Sequence, residues 1–77
     1  MPLHLYPNIN ASGSVPTNFA PNPGGTVKYP VRNRQVLRYL RTLLSGKWQK
    51  VIKQGNIGEV HYFEHDSGQV AGVKFFP

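Results

Sequence analysis

Arg34 to Gly46 reads RQVLRYLRTLLSG and Lys47 to Lys53 reads KWQKVIK, and the change of period between them decides the fold. In the first stretch Val36, Leu37, Leu40, Leu43 and Leu44 recur at helical spacing and make one apolar stripe. Asn33 can cap the N-terminus through its side-chain oxygen, and Gly46 supplies a left-handed stop. A helix is expected over residues 34–45. Beyond Gly46 the period becomes two. Strands are expected over 48–53, 59–65 and 69–76, rich in aromatic and β-branched residues. Residues 54–58 carry two glycines and read as a turn. His65-Asp66-Ser67-Gly68 fits a type I turn ending in a left-handed Gly. The expected class is α+β, with one amphipathic helix packed on a three- to four-stranded antiparallel meander. The fourth strand, residues 26–31, would lie at an edge because of its proline.

The rest of the chain bounds what this core can be. Its 77 residues allow one domain, and a lone core of that size is marginal unless a partner completes it. No Cys is present, which excludes disulfides and Cys-ligated metal sites. With 3 acidic residues in all, a carboxylate metal cage is nearly excluded. No stretch reaches the roughly 18 apolar residues of a membrane span, and Met1 to His4 shows no signal peptide. Residues 1–27 carry no Lys, Arg, Asp or Glu and hold Pro2, Pro7, Pro16, Pro21 and Pro23. They read as an irregular Pro/Gly/Asn-rich tail or linker before a small basic domain over 28–77. The alternative is a segment docked on the core through Leu3, Leu5, Tyr6, Ile9, Val15 and Phe19. Asn22-Pro23-Gly24-Gly25 is a turn signal.

The net charge is +6, and the basic run from Arg32 to Lys53 has no acid within it. Arg34, Arg38 and Arg41 share a helix face, where no acid neutralises them; arginine in the first turn also opposes the helix dipole. With Lys47, Lys50 and Lys53, and with Tyr39 and Trp48 as aromatics, they suit phosphates and unpaired bases. A solvated basic face is the bland alternative, and Trp48 fits a core position better than a stacking platform.

His61 and His65 lie four apart. On a strand that separates them by about 13 Å, so they cannot share a metal, and no cofactor is called for. Strand register decides their neighbours. A three-residue second hairpin loop sets His65 against Gln69 and His61 against Val73. A two-residue loop shifts the pairs by one and brings His61 to Lys74. In the first hairpin, pairing Gln54 with Glu59 sets Lys50 and Ile52 beside His61 and Phe63. A His near lysines on such a face suits metal-independent RNA cleavage. The 2′-hydroxyl attacks phosphorus, a His or Glu removes its proton, and a protonated His supplies the leaving oxygen. Lys or Arg stabilises the phosphoryl charge. Half-buried packing is the alternative for both histidines.

The segments 46–53, Val60-His61-Tyr62-Phe63-Glu64-His65-Asp66-Ser67-Gly68 and Val73-Lys74-Phe75-Phe76 resemble the C-terminal RNase toxin modules of bacterial polymorphic and contact-dependent inhibition systems. Those modules are of the barnase/EndoU/colicin E5/RelE-like type. The resemblance covers residues 30–77. It implies RNA, often tRNA, as substrate and His61 with Lys74 as the catalytic pair, with Lys50 or Lys53 on the phosphate. His65 stands as a further catalytic candidate. The resemblance also implies an acidic immunity protein as partner. It implies action in the bacterial cytoplasm after delivery within a larger secreted protein. The competing expectation is a small basic, non-enzymatic binding module for nucleic acid or an acidic protein.

Overall fold

The computed structural model describes residues 3–77. One helix, α1 (Arg34–Leu43), packs on a four-stranded antiparallel sheet of β1 (Pro21–Pro30), β2 (Trp48–Gly55), β3 (Gly58–His65) and β4 (Val70–Phe76), in spatial order β1-β2-β3-β4. This is the α+β meander that the periodicities predict. β1 begins earlier than expected, at Pro21, and lies at the edge, where its prolines remove no interior ladder bond. The Asn22–Gly25 turn becomes a register shift inside it, between Pro21 and Thr26, with Gly24 at φ 70°.

Asn33 caps α1 as its residue type predicts, its side-chain oxygen accepting from the N–H groups of Gln35 and Val36. The C-terminus differs from expectation. The helix stops at Leu43, and Leu44 is extended, so Gly46 is not its cap. At Gly46, with φ 118°, a Cβ would meet His65 Nε2 at 2.9 Å. The glycine is needed for the chain to close over His65, not to end the helix.

Period-two alternation gives the sheet two distinct faces. On one, Trp48 and Ala71 are buried with Leu40 beneath the stripe of α1, and Phe63, Leu3 and Leu5 complete that cluster. On the other, Val51, Val60, Tyr62 and Val70 are buried against Tyr6, Ile9, Val15 and Phe19. The N-terminal segment is therefore docked, as the second of the two readings has it. Tyr6 forms a bridge to Val70 on the outer edge of β4, a short 3-10 turn follows at Ile9–Ser12, and Phe19 meets the Phe75 ring edge-on at 6.2 Å. Asn56 fastens the far end: its N–H donates to Ala20 O, its Oδ1 accepts from Ala20 N–H, and its Nδ2 donates to Asn18 O. Low charge and many prolines by themselves favour a linker. Six apolar side chains and one asparagine clamp outweigh that composition. Burial, with a smaller contribution from Glu64, pushes the Tyr62 phenol up to about 12, so it stays neutral in this core.

Candidate active site

α1 covers only the Trp48 end of its sheet face. The other end is open, with Val27 52% and Phe76 46% exposed. Its residues come in cross-strand rows. Val27, Ile52, His61 and Lys74 form one row; Tyr29, Lys50 and Phe63 form the next toward the helix; Gln54, Glu59 and Phe76 form the next away from it.

The pairing of His61 with Lys74 depends on one bulge. Near the turn, Phe63 pairs with Ala71 and Glu64 with Val70, which is the three-residue-loop register. Past the shift, His61 pairs with Lys74 and Val60 with Phe75, which is the two-residue-loop register. Both registers occur in one hairpin. The extra residue falls at Gly72, where φ is 64°, a value at which glycine avoids the Cβ penalty. Without the bulge, Lys74 would leave the His61 face.

His61 is half-buried. Its Nε2 lies 3.0 Å from Glu59 Oε1, and its ring rests at a tilt on Phe76, 4.6 Å between centroids. Nδ1 has no protein partner among the described residues. Lys50 Nζ stands 4.6 Å from the centroid of Phe63. Burial first, and then the nearby Lys74 ammonium, push the Lys50 amine below its usual range. Two lysines thus converge beside an imidazole–carboxylate pair. The unfolded chain holds the Lys50 proton more firmly than the folded one. Folding is therefore penalised at neutral pH, and the penalty fades as pH rises from the folded-state value to the higher unfolded-state value. Lys50→Met keeps the aliphatic stem over Phe63 and deletes the charge. It should raise the melting temperature at neutral pH, and by less in alkaline buffer. A lower melting temperature in calorimetry would contradict the repulsion.

The other candidates fall elsewhere. His65 is fully engaged at the opposite end of β3: the Ser67 N–H donates to Nδ1, Nε2 donates to Ser45 O at 2.7 Å, and the ring meets Trp48 edge-on. It ties the second hairpin turn to the end of α1. Trp48 is only 4% exposed, with its indole N–H given to Leu44 O, so it has no face free for a base. Alternation puts Lys53 on the face opposite Lys50, away from His61. Arg34, Arg38 and Arg41 do share one exposed helix face, with Leu37 beneath them. None of the three has a carboxylate partner among the described residues; the ion pairs there are Lys28–Glu64 and His61–Glu59. Glu59 is the site residue that sequence reasoning passed over. Its signal was available, because two residues apart on a strand means one face.

The donor set available for metal is small. No group of three or more His, Asp or Glu side chains gathers among the described residues. No helix there is long and apolar enough to cross a membrane. Comparison with known proteins returns nothing: no protein family, characterised sequence or solved structure matches the chain.

Proposed function

We propose that the protein is a metal-independent endoribonuclease, and that the open end of the sheet is its active site. The observation that carries this reading is the convergence of His61, Glu59, Lys74 and Lys50 on one uncovered face. Glu59 accepts from Nε2–H, which leaves the Nδ1 lone pair of His61 to take the proton of the RNA 2′-hydroxyl. Glu59 then stabilises the imidazolium, as the carboxylate does in an acid–base–nucleophile triad. The 2′-oxygen bonds to phosphorus while the bond from phosphorus to the 5′-oxygen breaks. Lys74 balances the charge on the phosphoryl oxygens. Lys50 protonates the departing 5′-oxygen, and its lowered affinity for the proton suits it to the task. The products are a 2′,3′-cyclic phosphate and a free 5′-hydroxyl. Arg34, Arg38 and Arg41 hold the flanking backbone. A toxin-like role toward tRNA, action in the bacterial cytoplasm and an acidic immunity partner belong to the same reading and rest on the family resemblance alone.

The test is incubation of wild-type protein and His61→Ala with total bacterial RNA in EDTA. Discrete fragments with cyclic-phosphate ends, from the wild type alone, are the expected result. Cleavage that persists in the variant would remove His61 from the site.

The unneutralised arginine face favours a second reading, a basic module that binds nucleic acid or an acidic protein without cutting. Equal gel shifts by both proteins with no cleavage would favour it. Under either reading, replacing Arg34, Arg38 and Arg41 by Gln should lower RNA affinity and flatten its salt dependence. The slope should fall by about one for each phosphate that the variant no longer neutralises. An unchanged slope in filter binding across a salt series would take the helix out of the interface.

A further inference from the structure

Between the start of α1 and the sheet lies a cavity of about 240 Å³, and its walls include Tyr29, Arg32, Asn33, Val36, Lys50 and Phe63. It opens on the same sheet face as His61. The row Tyr29–Lys50–Phe63 is one step from the row of His61 and Lys74, a distance of about 7 Å along the strands. That is the order of separation between a phosphate and the base of its own nucleotide. Two aromatic rings and Val36 give the cavity an apolar body. Its polar groups are nearly all donors. Arg32 has no carboxylate partner among the described residues. Asn33 Oδ1 is committed to the N–H groups of Gln35 and Val36, which leaves its amide Nδ2–H₂ to donate.

We propose that this cavity is a nucleobase subsite, taking the base of the nucleotide whose phosphate lies at His61 and favouring guanine and uracil, which carry a carbonyl oxygen where adenine and cytosine carry an amino group. Every base has a π-face to stack on Tyr29, since the Lys50 ammonium already stands over the Phe63 ring. A rim of donors matches the acceptors of guanine at O6 and N7 and of uracil at O4. It faces the amino groups of adenine and cytosine with unpaired N–H donors. Lys50 lies in both the cavity wall and the phosphate site, so base and phosphate are gripped by neighbouring rows of one rigid sheet. The proposal deepens the ribonuclease reading and rests on it for the placing of the phosphate.

The test titrates the full chain, in EDTA, with the four nucleoside 3′-monophosphates and with inorganic phosphate, none of which can be cleaved. Guanosine and uridine 3′-monophosphates should bind about tenfold or more tighter than phosphate, as one stacked base allows. Tyr29→Ala should reduce them to the affinity of phosphate while leaving phosphate itself unchanged, and Tyr29→Phe should restore them. Arg32→Gln should level the four bases. Nucleotides binding no tighter than phosphate would overturn the subsite, as would a Tyr29→Ala variant that keeps the difference. The two readings fail separately. Cleavage of RNA in EDTA with no base selectivity removes the subsite and leaves the ribonuclease. Tyr29-dependent nucleotide binding without cleavage removes the ribonuclease and leaves the subsite.

Discussion

Trp48→Ala should bring the protein close to the limit of folding. Trp48 is the first residue of β2 and the largest side chain beneath α1, packed with Leu40 and Ala71. It also joins three parts of the chain, through its indole bond to Leu44 O and its edge-on contact with His65, 5.2 Å between ring centroids. Emptying such a site costs about 3–5 kcal/mol. A domain of this length has a total stability of about 4–12 kcal/mol. The melting temperature should therefore fall by more than about 12 °C, and the urea midpoint should drop in parallel. A loss below about 1 kcal/mol in urea unfolding would mean that the helix does not depend on this contact. His65 belongs to the same joint, since Ser45 and Ser67 occupy both of its ring nitrogens. Its replacement should act on stability rather than on chemistry.

If the protein is the proposed ribonuclease, His61→Ala should have the largest effect on activity, a fall of about 10² to 10⁴ in cleavage rate, which is the range for loss of a positioned acid–base group. Stability should change little, because His61 lies on the open end of the face, outside both buried clusters. Circular dichroism and melting of the variant separate the two effects. Because Lys50 holds its proton less firmly than a free lysine, the alkaline limb of the pH–rate profile should lie below the ordinary lysine range. Lys50→Met should remove that limb. A variant that loses its fold along with its activity would make His61 a packing residue, the alternative that its rest on Phe76 keeps in view.

Much of this architecture was legible in the residues. The apolar stripe of α1, the period of β2, β3 and β4, and the Asn33 cap are local signals and appear where the spacing puts them. The first hairpin could be paired from Gln54 with Glu59. The second could not be fixed, because its register changes midway: Gly72 opens a bulge and the hairpin uses both pairings in turn. That bulge places Lys74 beside His61, so the site depends on a feature to which no hydrophobic period points. The N-terminal segment was ambiguous for another reason. Its apolar residues follow no period, and its docking relies on partners such as Val70 and Asn56, more than thirty-five residues away along the chain. Gly46 reads as a helix stop in isolation, whereas its conformation answers to His65, which only the fold brings near.

The most direct test of the central claim is on the substrate side. A single-stranded RNA oligonucleotide, and the same sequence carrying one 2′-deoxynucleotide at the mapped cut, are incubated with wild-type protein in EDTA. The expected result is cleavage of the RNA to a 2′,3′-cyclic phosphate end and no cleavage at the deoxy position, because the attacking oxygen is missing there. Equal cutting of both strands would show that water, not the 2′-hydroxyl, attacks phosphorus, and would contradict the mechanism built on His61, Glu59, Lys50 and Lys74.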